Sequence, residues 1–76
     1  MDIKKILSEL VEVRYKVRID DTEELFGNRM NLTAGELLYL LFDIEEKFQI
    51  KICDVDITYE NFKDISSMAL MIEKYI

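Results

Sequence analysis

Seventy-six residues with a formal charge of −6, half of them hydrophobic, can bury one core but not two, and too much of the chain is apolar for it to stay disordered. The charge is uneven: seven acids and six bases in residues 1–30 give −1, nine acids and four bases in 31–76 give −5, so no basic face for nucleic acid can be built. A lone cysteine allows no internal disulfide, and the longest apolar run, Leu37–Phe42, falls far short of the ~20 residues a bilayer span needs.

The N-terminal segment MDIKKILSEL has no apolar run before a small-residue cleavage site, so no signal peptide is expected and the cytosol is the predicted compartment. Asp2 can cap a first helix, with Ile3, Ile6, Leu7, Leu10, Val13 and Val17 spaced to face a core. Val11–Ile19 also alternates apolar and polar without a break, which is the pattern of a half-buried strand. Phe48–Ile52 and Val55–Tyr59 could partner such a strand. Periodicity alone leaves helix and strand open here.

Asp20-Asp21-Thr22 ends the first segment and can cap a short turn through Leu25-Phe26, and Gly27-Asn28 is the strongest turn signal. Thr33-Ala34-Gly35-Glu36 is a capping box: the threonine accepts from the backbone three residues on, and Glu36 reaches back. A central helix follows to Phe48, with Leu37, Leu38, Leu41, Ile44 and Phe48 as its apolar stripe and Leu40 widening it. Beyond it, Ile50 and Ile52 point inward around Lys51. Thr58–Phe62 has room for one or two helical turns. Asp64, Ser66 and Ser67 offer caps for a last helix, with Ile65 as a staple and Met68, Ala69, Ile72 and Tyr75 or Ile76 as its stripe.

The run Glu24-Leu-Phe-Gly-Asn-Arg-Met-Asn-Leu32, the leucine-rich helix closing on Ile44-Glu-Glu-Lys-Phe48, and then Asp64-Ile-Ser-Ser-Met68 to Ile72-Glu-Lys-Tyr75 resemble acyl and peptidyl carrier proteins. The likeness covers residues 24–76 in order and spacing, and residues 1–23 in general character. It implies one all-α domain over 1–76, a four-helix bundle of three main helices and one short helix. On that basis residues 3–16 are expected to be helical, with an α+β fold carrying a hairpin as the alternative.

The resemblance also implies a 4′-phosphopantetheine arm on a serine in the first turn of the central helix, between Asp and Leu. Here those positions are Thr33, Ala34 and Gly35. Ala34 has no oxygen to modify, so no cofactor is expected; an unusual carrier that uses the Thr33 hydroxyl is the alternative. Carriers dock basic patches of their enzymes on the outward side of this helix. The matching residues are Glu36, Tyr39, Phe42, Asp43, Glu45 and Glu46, with Phe42 at the family's apolar position; it could also fold onto the core. The implied function is a docking module without a prosthetic group, serving biosynthetic or modifying enzymes. Carrier-related proteins of this degenerate kind suggest ribosomal-peptide or natural-product maturation as the setting.

No enzyme is expected, because there is no histidine and Cys53 has no base beside it. Cys53 reads as a small, partly buried hydrophobe. Asp54 and Asp56 start like a calcium loop, but the glycine and distal glutamate are missing, so no metal is expected. A monomer without membrane or nucleic-acid partners is the expectation.

Overall fold

The first helix, α1 (Ile3–Tyr15), starts where Asp2 accepts the Lys5 backbone N–H at 3.1 Å, the first-turn satisfaction its position predicted. A computed structural model describes residues 2–76. The other helices are α2 (Ala34–Phe48), a single turn α3 (Tyr59–Phe62) and α4 (Ile65–Glu73), with a 3₁₀ turn at Asp54–Asp56. There is no strand among the described residues, which removes the hairpin alternative. The α1 helix packs on α4 and on α2, its last residue Tyr15 meeting the first turn of α2 at Glu36, and α3 packs on α4. The Cα radius of gyration, 11.2 Å, is that of a globule of this length.

The core explains the choice between helix and strand. Leu7 and Val11 are fully buried at a helical spacing of four, whereas Val13 is 73 % exposed and Val17 only half-buried. Only part of the alternating run therefore faces inward, as a helix requires and a strand would not. Val13 thus leaves the expected stripe, about 200° round the helix from Val11. Lys16 ends the helix in the left-handed conformation, φ 59°, with its N–H on Glu12 O at 2.8 Å.

The long connection to α2 is not a bare loop. Ile19, Leu25 and Leu32 are buried; backbone bonds from Leu25 N to Lys63 O (2.7 Å) and from Ser66 N to Asp21 O (3.0 Å) tie the connection to the α3–α4 region, and one from Leu32 N to Leu25 O (3.0 Å) closes it on itself. Phe26 lies against Tyr59, ring centroids 5.8 Å apart. The backbone groups that have no helix to satisfy them are paired in this way.

In α2 the buried positions are Leu40, Leu41, Ile44 and Phe48, with Leu37 partly buried. Leu40 is fully buried at one edge of the stripe, and Leu38, expected inside, is 53 % exposed. At 100° per residue Leu38 falls about 100° from the centre of the others. The helix ends at Gln49 (φ 57°), whose side-chain amide donates to Glu46 O at 2.6 Å, while Ile50 N reaches Glu45 O at 3.1 Å in a Schellman-type closure.

Asp64 is the cap of α4, accepting Ser67 N at 2.7 Å. This places Ile65 inside the helix as its first residue, fully buried, rather than as a staple ahead of the cap. Met71 joins Met68, Ala69 and Ile72 in the core, and Ile76 is exposed. Phe62, at the end of α3, is completely buried, so the single turn contributes a large aromatic to the core.

Two side chains fasten the stretch between α2 and α3. Glu45 accepts Ile52 N at 2.9 Å. The Tyr75 hydroxyl donates to Asp56 Oδ2 at 2.5 Å and accepts Cys53 N at 2.9 Å, with Lys74 Nζ 3.6 Å from Asp56 Oδ1. The bond to the Asp56 carboxylate pushes the Tyr75 pKa up to about 12, partly opposed by the Cys53 N–H. Because the folded pKa is raised, this contribution is complete below the unfolded value of about 10. It is lost as pH rises to about 12. Tyr75→Phe should therefore be less stable than the parent at neutral pH, and the gap measured by urea unfolding should narrow across about pH 10–12. A gap that does not change over that range would show that the hydroxyl contributes nothing through Asp56.

Candidate functional site

Turning α2 about its axis at 100° per residue sorts its polar face into three strips. Opposite the core lie Gly35, Tyr39, Phe42 and Glu46. Towards α1 lie Glu36, Asp43 and Lys47. On the other shoulder, towards the connector, lie Ala34, Leu38 and Glu45. The six residues expected to form the partner surface all fall on α2, but they fall on all three strips.

The middle strip is open. Tyr39 and Phe42 are 59 % and 60 % exposed, and Leu38 adds a third large apolar side chain at the edge beside Phe42. The core is filled by other residues of α2, so Phe42 does not fold over onto it. Glu46 is exposed and makes no ion pair among the described residues. Leu38 was missed as a surface residue because a run of leucines reads as core unless each is placed by angle.

The shoulders are engaged within the chain. Asp43 takes a bidentate grip from Arg14 at the end of α1: Nε to Oδ2 at 2.5 Å and Nη2 to Oδ1 at 2.9 Å. The guanidinium also stands over the Tyr39 ring, 5.5 Å from its centroid. Those hydrogen bonds raise the Arg14 pKa above its ordinary value against the opposing effect of burial. Glu45 is drawn in on the other side: its side chain is only 13 % exposed, one oxygen holds Ile52 N, and the other lies 3.9 Å from Lys51 Nζ.

At the start of α2, Thr33 caps the helix as its position predicted, accepting Glu36 N at 3.2 Å. The return contact differs from the expected capping box: the Glu36 carboxylate accepts from the Thr33 hydroxyl at 3.3 Å rather than from the Thr33 backbone. Tyr15 donates to Glu36 O at 3.1 Å, joining the end of α1 to the start of α2. Burial, then the Glu36 charge, raises the Tyr15 pKa. Ala34, the first residue of α2, is exposed and has no hydroxyl.

Cys53 is exposed, which corrects its reading as a partly buried hydrophobe. Asp56 is committed to Tyr75 and Lys74, and no group of His, Cys, Asp or Glu among the described residues is placed to hold a metal. Among the described residues no helix is long and apolar enough to cross a membrane. What the arrangement offers chemically is contact: an exposed apolar strip, one free carboxylate on it, and an arginine–carboxylate–aromatic cluster along one edge. No family model, curated protein or solved structure matches this chain.

Proposed function

We propose that this protein is a carrier-like docking module that works without a prosthetic group, and that the outward strip of α2 receives its partner enzymes. The observation that carries the reading is the exposure of Leu38, Tyr39 and Phe42 together on one helix whose other face already completes the core. Large apolar side chains grouped on a surface mark an interaction site more often than an isolated one does. Glu46 on the same strip and the net charge of −6 favour a partner with a basic patch. The resemblance to acyl and peptidyl carrier proteins supports the same helix as the docking element. It makes biosynthetic or modifying enzymes, in peptide or natural-product maturation, the proposed partner class. The Thr33 hydroxyl is taken up in capping α2, which favours this reading over a carrier that uses it as an acceptor.

The test is Phe42→Ala against an enzyme purified through its association with the parent. Covering a phenylalanine is worth about 1.5–3 kcal/mol, so affinity by calorimetry should fall roughly 10- to 150-fold. Stability should stay within about 0.5 kcal/mol, as for other surface substitutions. Unchanged affinity would remove Phe42 from the interface, and a stability loss of ~3 kcal/mol would make it a core residue instead.

A further inference from the structure

Arg14 already does to α2 what an incoming arginine would do. Its planar fork matches both oxygens of Asp43, and its face covers Tyr39, four residues earlier on the same helix. Carboxylate and ring are thus spaced by one turn of α2, so a guanidinium can pair with one and stack on the other at once. A lysine ammonium has no fork or flat face to do both. Phe42 neighbours Asp43 in sequence and opens on the adjoining strip, so an apolar anchor lies directly beside this cluster.

We propose that Asp43 and Tyr39 form a guanidinium subsite of the docking face, that Arg14 occupies it in the free protein, and that an arginine of the partner's docking segment takes its place. The inference rests on the docking reading of α2. The side chains of the Arg14–Asp43 pair are 36 % and 26 % exposed, so the pair can open without disturbing the core. Exchange of one guanidinium for another makes and breaks the same contacts and is close to balanced. What decides it is effective concentration, which is of millimolar order for a tethered group. A free arginine in solution therefore competes poorly with Arg14, whereas one held nearby by an apolar contact on Phe42 competes on equal terms. Glu46 borders the same depression as Asp43, beside Leu10, and leaves a carboxylate within the displaced arginine's surroundings. Arg14 thus acts as an internal competitor that screens partners: it admits an arginine placed next to an apolar residue and turns away cations that lack that pairing.

The test uses two small probes, N-acetyl-Leu-Arg-amide and N-acetyl-Leu-Lys-amide, titrated into isotope-labelled protein and followed by chemical shift. Arg14→Gln vacates the subsite and leaves Asp43 and Tyr39 in place. The arginine probe should bind this variant at least tenfold more tightly than the parent, with shifts centred on Tyr39 and Asp43. The lysine probe should show no such gain, and adding Asp43→Asn to Arg14→Gln should abolish it. Equal response of parent and Arg14→Gln, or a gain that survives Asp43→Asn, would overturn the proposal. Should Arg14→Gln fold poorly, the parent alone suffices: saturating arginine probe should shift the Arg14 Nε–H resonance, and an unmoved resonance would equally overturn it. The probes need no enzyme, so a missing subsite and a failed docking surface give separate results.

Discussion

Phe62→Ala should cost about 3–5 kcal/mol, the usual penalty for emptying a fully buried aromatic site. For 76 residues the whole net stability is about 4–11 kcal/mol, so this one change should leave the protein marginal or unfolded at room temperature. Phe62 has no exposed surface and is the only buried residue of α3. With the ring gone, a helix of four residues has little to hold it, because a single turn fixes more backbone than its own hydrogen bonds repay. Thr58 would still accept Asn61 N, but a cap cannot stabilise a turn that has lost its anchor. Urea unfolding of parent and variant measures the difference. A loss below about 1 kcal/mol would mean that the core closes over the gap and that α3 is held by its polar contacts instead.

The second large effect is qualitative. The parent should never gain the mass of phosphopantetheine when incubated with a promiscuous phosphopantetheinyl transferase and coenzyme A, and the triple variant Thr33→Asp, Ala34→Ser, Gly35→Leu should gain one. The transfer needs a hydroxyl at position 34, and Ala34 is exposed on the first turn of α2, where a transferase could reach it. A Cβ added at Gly35 would meet only the Thr33 hydroxyl at 3.8 Å, an ordinary contact, so a side chain fits there. Replacing that helical glycine should gain roughly 0.5–1 kcal/mol. Aspartate at 33 keeps the cap and suits the positive end of the helix, but it meets the Glu36 carboxylate that now accepts from Thr33. Like charges three apart cost a few tenths of a kcal/mol, so the triple variant should fold about as well as the parent. Intact mass spectrometry decides both halves. A modified parent would make Thr33 the acceptor and overturn the reading that the protein works without a prosthetic group.

Much of the fold could be read from short-range chemistry. Asp2, Thr33, Thr58 and Asp64 each accept a backbone N–H three residues on, so the start of every helix was written in one side chain. The ends were not. Lys16 and Gln49 carry no glycine or proline stop; the chain leaves the helix there at positive φ and returns to the core at Ile19 and Ile52. The strand-like pattern of Val11–Ile19 breaks at Val13, the one valine of the run that is exposed, and the burial of Leu7 and Val11 together distinguishes helix from strand. On α2 the sequence placed Tyr39 and Phe42 on the outward side but left Phe42 open between surface and core, and only the folded chain, with Phe42 60 % exposed, decides it. The engagement of Asp43 and Glu45 was not legible, since Arg14 lies 29 residues before Asp43 and the Ile52 amide seven after Glu45. Sequence shows which acids a helix carries; which of them remain available depends on neighbours that only folding supplies.

The left-handed stops at Lys16 and Gln49 have a practical side. An ordinary side chain held at positive φ costs roughly 1–2 kcal/mol that glycine would not incur. Natural helices commonly place glycine at such positions, and this chain spends its two glycines elsewhere. Lys16 makes no side-chain hydrogen bond or ion pair among the described residues, so its conversion to glycine relieves backbone strain at the loss of little else. It also lies off α2. A Lys16→Gly background is therefore a sturdier host in which weakened variants of the binding face stay folded long enough for their affinities to be compared.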